Sequence, residues 1–203
     1  MQGLPHQGWK YGDFQRSLWP DLGNGELVPI ESICYGNEGP VNEPISKYGF
    51  RLATSILKMQ PSSILAHSMG GLTLISALGY LDEWKKPWKG NIVFIETPFN
   101  GAPRWKLKRV GYPVDKISVQ DMFHDSEFMK SLRFEVLDGC LVLCILGSFS
   151  NKYFGLYGRL AKPVMDPFKR FKPLMVNGYP GIEHNALLRE PRAGKAVKEF
   201  LQS

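Results

Sequence analysis

Short apolar runs separated by helical stretches set the plan of this chain. Leu27–Tyr35, Ser63–His67, Asn91–Thr97, Cys140–Gly147 and Pro173–Asn177 carry the runs expected of strands buried on both faces. Between the first two, apolar residues recur at helical spacing: Pro44 to Met59 sets Ile45, Tyr48, Leu52, Ile56 and Met59 on one stripe, with Pro44 suited to the first turn. A further helix is expected from Met69 to Tyr80. A last one runs from Pro191 to Leu201, where Ala193, Val197, Phe200 and Leu201 oppose Lys195, Lys198 and Glu199. Strand and helix in alternation predict an α/β fold, a mostly parallel sheet with helices on both faces. No repeat, low-complexity tract or linker breaks the pattern. The long mixed segment from Pro98 to Gly139 is expected to form a loop or small cap over a site.

Length agrees with that plan. A chain of 203 residues makes one domain whose core buries roughly 70% of the unfolded surface, so neither a disulfide scaffold nor a metal is needed. The cysteines number three, and Cys140 and Cys144, four apart in one apolar strand, share a face but are too distant to bond each other. Buried free thiols in a reducing compartment are expected. The stretch from Met1 to Lys10 lacks a positive region followed by an apolar one, and no run of eighteen apolar residues occurs, so a cytoplasmic location is the expectation.

Charge adds a candidate partner. The net charge is +6 with an isoelectric point near 9.2, and the excess is clustered at Lys85, Lys86 and Lys89, at Arg104, Lys106, Lys108 and Arg109, and at Lys169, Arg170 and Lys172. Such runs are most often solvated faces. Where they act, the interleaved Trp84, Trp88 and Trp105 suit an anionic lipid surface or an acidic carrier protein better than nucleic acid.

The chemistry begins at Ala66-His67-Ser68-Met69-Gly70-Gly71, set behind the apolar Ile64-Leu65 and ahead of Leu72-Thr73-Leu74-Ile75. A serine alcohol is a weak nucleophile, so it must be held on a sharp strand-to-helix turn beside a base. Small residues at Ala66 and Gly70 leave room where strand and helix meet. The amino terminus of the following helix then points at the charge that develops in acyl transfer.

Four histidines allow the base to be chosen by elimination. His6 precedes every element, His67 lies next to the serine on a strand and points to the opposite face, and His124 sits in a polar stretch. His184 alone follows the final strand, where sites of parallel sheets assemble. The orienting acid should follow Cys140–Gly147, but Asn151 stands where an aspartate is expected and cannot carry the charge. Asp166 is placed first on chain order, with Glu96, at the end of Asn91–Thr97, as its competitor.

These segments resemble the α/β-hydrolase superfamily, in particular small lipases and esterases with alanine in place of the first glycine of the nucleophile elbow. Thr97-Pro98-Phe99-Asn100-Gly101-Ala102 is similar to their TPHxGS turn, the stretch Ser126 to Leu132 to their SxFLxxL segment, and His184-Asn185-Ala186-Leu187-Leu188 to their catalytic-histidine segment. The resemblance implies an acyl-ester hydrolase with Ser68 as nucleophile, His184 as base and Asp166 as acid. It also implies an oxyanion hole made by the amides of Met69 and Trp9, with Gln7 as the alternative to Trp9. The family's first strand, ending in His-Gly, has only the short and broken Met1 to Pro5 as its counterpart. Phe99, Trp105, Phe123, Phe128 and Phe149 are candidates to line an acyl pocket. The substrate expected is a small-molecule or lipid acyl ester, and no cofactor or metal is implied. Hydrolysis of an acyl-carrier ester or thioester, acyl transfer to another alcohol, and a non-catalytic binding role of the same fold remain open.

Overall fold

A computed structural model describes residues 43–109, 113–147, 172–176 and 191–202. Among them four parallel strands lie side by side in chain order: β1 (Ser63–His67), β2 (Asn91–Ile95), β3 (Leu141–Gly147) and β4 (Lys172–Val176). Their register is continuous, Ala66 lying opposite Phe94, Phe94 opposite Cys144 and Cys144 opposite Pro173.

Side chains alternate across a strand, and here the two sets find different partners. Ile92, Phe94, Val142 and Cys144 bury against Leu52, Ala53 and Ile56 of α1 (Ile45–Met59) and against Leu74, Ile75 and Leu78 of α2 (Met69–Glu83). Val93, Ile95, Leu143 and Ile145 instead meet Ala193, Val197 and Phe200 of the last helix, Pro191–Leu201. The fold is therefore α/β, with a parallel sheet covered on both faces, as the alternation of elements implies.

Differences from the expected boundaries have local causes. β2 ends at Ile95 because Glu96 turns to φ 50°, although its N–H still reaches Ile145 O at 3.0 Å. α2 runs on to Glu83, since Leu81 is still fully buried and the chain leaves the helix only at Lys85, with φ 58°. β3 starts at Leu141 because the Cys140 N–H turns back to Leu137 O. The expected strand Leu27–Tyr35 lies outside the described residues. Cys140 and Cys144 are free and buried.

The segment expected to form a loop or cap holds three short helices, α3 (Arg104–Arg109), α4 (Ile117–Asp121) and α5 (Glu127–Ser131), and a 3-10 turn over Phe134–Leu137. Ala102, Leu107, Val119, Met122 and Met129 from this segment form one buried cluster with Ile45 of α1 and with Met69 and Leu72 of α2. Polar bonds fix the packing. Asp121 Oδ2 accepts from the Ile45 N–H at 2.7 Å, at the start of α1, and Ser126 Oγ donates to Asp121 O at 2.6 Å while accepting from the Met129 N–H at 3.1 Å. The segment thus packs at the end of the sheet where α1 and α2 begin. No helix among the described residues is long and apolar enough to cross a membrane.

Candidate active site

β1 must become α2 within one residue, and that residue is Ser68, at φ 54° and ψ −131°. A non-glycine residue in this half of backbone space costs on the order of 1–3 kcal/mol and persists only where the surroundings impose it. Two bonds do so: the Ser68 N–H reaches Ile95 O at 2.9 Å, and Ser68 O accepts from the Gly71 N–H at 3.0 Å. Ser68 is 3% exposed and stands at the head of α2, whose first amide is that of Met69. The first N–H groups of a helix have no partner within it and carry its positive dipole end, which is what an oxyanion needs.

The neighbouring strand ends in register with this turn. His67 pairs with Ile95, so Ser68 and Glu96 are each the next residue beyond a paired position. Glu96 also has a left-handed φ, 50°, and is 1% exposed. Thr97, fully buried, follows and lies against the first turn of α2, where a Cβ on Gly71 would fall 2.0 Å from Thr97 Oγ1. Only glycine lets the helix close so tightly on the end of β2. The close contact falls at Gly71, one residue after the Gly70 expected to make room.

From Thr97 the chain turns sharply. The Phe99 N–H bonds Thr97 O at 3.0 Å and the Gly101 N–H bonds Pro98 O at 2.8 Å, with Gly101 at φ 67°. Ala102 then joins the cap-like segment, its N–H on Met122 O at 2.9 Å and its carbonyl accepting from the His124 N–H at 3.2 Å. Phe99 is fully buried edge-on between Phe94 (5.0 Å between ring centroids) and Phe134 (6.1 Å). Its ring packs into the core at the turn. Trp105 is 58% exposed on α3, whose Leu107 is buried beside Met69. Phe123 and Phe128 are partly buried against that same cluster, with the Arg104 guanidinium 5.9 Å from the Phe123 ring.

His67 is buried, and by alternation it shares the face of Leu65, which packs toward the last helix. His124 is exposed, 3.8 Å from Asp125. His6, His184, Asp166, Asn151, Trp9, Gln7 and Phe149 lie outside the described residues. Among the described residues no group of three His, Cys, Asp or Glu side chains is placed to hold a metal.

The two basic stretches differ, and the first lies just before β2, at the end of the sheet opposite Ser68. In the first, Trp88 Nε1 donates to Pro61 O at 2.7 Å and Lys89 Nζ donates to Val136 O and Asp138 O, where it caps the 3-10 turn. In the second, Arg104, Trp105 and Lys108 are exposed.

No protein-family model matches the chain, and no curated protein matches it. Among solved structures it is similar to the NocB thioesterase domain in covalent complex with a fluorophosphonate nocardicin G analog, at 13% identity and a TM-score of 0.43 over 81% of this chain and 77% of that one. It is also similar to RedJ with a PEG molecule bound in the active site, at 11% identity and a TM-score of 0.44 over 78% of this chain and 73% of that one.

Proposed function

We propose that this chain is a serine hydrolase of the α/β-hydrolase type that cleaves acyl esters, with Ser68 as the nucleophile. The left-handed conformation of Ser68 between β1 and α2 carries the reading. A strained serine at the carboxyl end of a parallel strand, heading a helix, has little value to stability and much to an alcohol that must attack a carbonyl.

In this reading Ser68 Oγ bonds to the acyl carbon as its proton passes to His184, and the amides of Met69 and Trp9 hold the oxyanion. Collapse breaks the bond to the leaving alcohol, which takes the proton from His184. Water then adds to the acyl-enzyme, giving its proton to His184, which returns it to Ser68 Oγ as the acid leaves. A carboxylate, Asp166 or Glu96, keeps the imidazole oriented. No cofactor enters these steps. The exposed Arg104, Trp105 and Lys108 beside this site favour a second reading, in which the acyl group arrives on an acidic carrier or at an anionic surface.

Reaction with a fluorophosphonate, located by mass spectrometry, tests the proposal. Modification of Ser68, with hydrolysis of p-nitrophenyl butyrate that falls on the order of a millionfold in Ser68→Ala, is the expected result. Equal hydrolysis by wild type and Ser68→Ala, or no label on Ser68, leaves the non-catalytic binding role instead.

A further inference from the structure

We infer that the outer face of α1 and α2, centred on Phe50, Tyr80 and Trp84, binds a second copy of this chain. The inference does not depend on the hydrolase reading above and concerns a surface away from Ser68.

Three rings from two helices are joined there. Phe50, on α1, is 50% exposed and meets two rings of α2 edge-on, with centroids 5.6 Å from Tyr80 and 5.4 Å from Trp84 and an interplanar angle of 85° in each pair. Tyr80 and Trp84 lie 6.0 Å apart at 31°. Both are only partly buried against the core, so the three form one continuous aromatic strip at the surface. Single exposed apolar residues need no explanation, whereas a joined strip marks a surface that meets something. Large aromatic side chains are also what the centre of a protein–protein interface is made of.

The charges on the two sides of the strip decide the occupant. On the α1 side Lys47, Arg51 and Lys58 recur at helical spacing, all exposed, on a helix that has no acidic residue. Glu43, ahead of the helix, pairs with Lys47 at 2.6 Å and Arg51 at 2.8 Å, which still leaves this flank net positive. On the other side of the strip Asp82 and Glu83 face Arg133, at 3.4 and 3.7 Å, and Arg133 Nη2 donates to Gly79 O at 3.3 Å. One guanidinium between two carboxylates leaves that flank net negative. Lys85 and Lys86 follow Trp84 and so stand at the end of the strip, not on either flank.

An anionic bilayer, a nucleic acid or an acidic protein laid over the strip would meet the carboxylates of Asp82 and Glu83. A second copy need not. Turned by a two-fold axis that runs along the helices, it sets its own α1 flank on the α2 flank of the first, and the reverse, so both contacts join opposite charges around a shared aromatic centre. A two-fold axis running across the helices would oppose like charges, so the helices of the two copies run in the same sense. Ser68 heads α2 and Trp84 ends it, about 24 Å of helix away, so the pairing leaves the candidate active site outside the contact.

The test is sedimentation velocity of the full chain over a range of concentrations, with melting temperatures beside it. Wild type should pass from 23.0 kDa to twice that mass as concentration rises. Phe50→Ser should weaken the association about 10²–10³-fold, because a two-fold interface loses the ring twice. Two charge reversals then test the arrangement: Arg51→Glu with Lys58→Glu makes both flanks acidic, and Asp82→Lys with Glu83→Lys makes both basic. Each reversed protein alone should be monomeric, and an equimolar mixture of the two should form the dimer again. Wild type that stays monomeric up to about 100 μM overturns the inference, and a partner of another kind would then have to cover the strip. A dimer that survives Phe50→Ser and both reversals overturns it too, since the copies then meet elsewhere. So does a mixture of the reversed proteins that remains monomeric while each keeps its wild-type melting temperature. Should Phe50→Ser not fold, the two charge-reversed proteins and their mixture decide alone.

Discussion

Gly71 and Thr97 occupy almost the same space: a Cβ added to Gly71 would stand 2.0 Å from Thr97 Oγ1, 2.4 Å from its Cγ2 and 2.7 Å from its Cβ. Through this contact the first turn of α2 sits directly on the end of β2, which brings Ser68 and Glu96 to the same end of the sheet. Gly71→Ala should therefore destabilise the protein by about 1–3 kcal/mol despite the better helix propensity of alanine, because overpacking in a closed site outweighs it. Adding Thr97→Ala should restore much of the loss. Urea denaturation of the two single variants and the double variant measures the coupling, and additive effects would mean that the contact is relieved elsewhere.

The Thr97 hydroxyl is fully buried, and its Oγ1 has no hydrogen-bond partner among the described residues. A buried hydroxyl left unmatched costs about 1–3 kcal/mol, whereas a methyl group of the same shape costs nothing there. Thr97→Val should leave stability unchanged or raise it by about 1 kcal/mol, read as a shift of the urea midpoint. A clear loss would show that the hydroxyl is paired in solution.

How far the sequence foretold this arrangement depends on what each element rests on. β1 and the last helix follow the expected spans because burial on both faces, or on one stripe, writes itself into apolar spacing. The turn at Ser68 was legible from its small neighbours. The left-handed Glu96 was not, since glutamate carries no preference for that conformation and only tertiary bonds impose it. Nor were α3, α4 and α5, of five or six residues each, which are too short to hold alone and depend on Asp121, Ser126 and the cluster around Met69. The full burial of Phe99 was not legible either, because an aromatic residue near a site and one in the core have the same spelling.

Asp121 joins the cap-like segment to α1 through the Ile45 N–H. Asp121→Ala should cost about 1 kcal/mol, the loss of a helix cap, while Asp121→Asn keeps an acceptor and should cost less. Burial holds the Asp121 carboxyl above its ordinary value of 3.8, and the Ile45 N–H opposes this in part. The native state then binds the proton more tightly than the unfolded one. Stability from this group is greatest below about 3.8 and declines as pH rises through the higher folded value. Wild type should therefore lose stability relative to Asp121→Asn across that window, and a difference independent of pH would contradict it.

Burial raises the thiols of both Cys140 and Cys144, most strongly at Cys144. Thiolate is the reactive form, so neither should alkylate in the native protein at pH 8, and both should react on unfolding. Iodoacetamide labelling mapped by mass spectrometry checks this. Rapid native labelling of Cys144 would mean that the interface between the sheet and its helices opens readily.

Arg104, Trp105 and Lys108 are exposed on α3, while Leu107 on the same helix is buried in one cluster with Met69, the residue after Ser68. In the proposed hydrolase, the basic, partly aromatic surface on α3 should bring an anionic substrate assembly to the protein, with each basic residue contributing roughly 1 kcal/mol and the attraction decaying over a Debye length of about 10 Å at 0.1 M salt. Turnover on anionic vesicles or on an acidic acyl carrier should thus fall as salt rises, and turnover of a small neutral ester should not. Arg104→Gln with Lys108→Gln should remove most of the salt dependence, and Trp105→Ala should weaken vesicle binding at every salt concentration. Lys89 belongs to the other basic stretch but is bonded to Val136 O and Asp138 O, so Lys89→Gln should lower stability and leave the salt curve as it was. Parallel salt curves for charged and neutral substrates would make the α3 surface an ordinary solvated face, without bearing on Ser68.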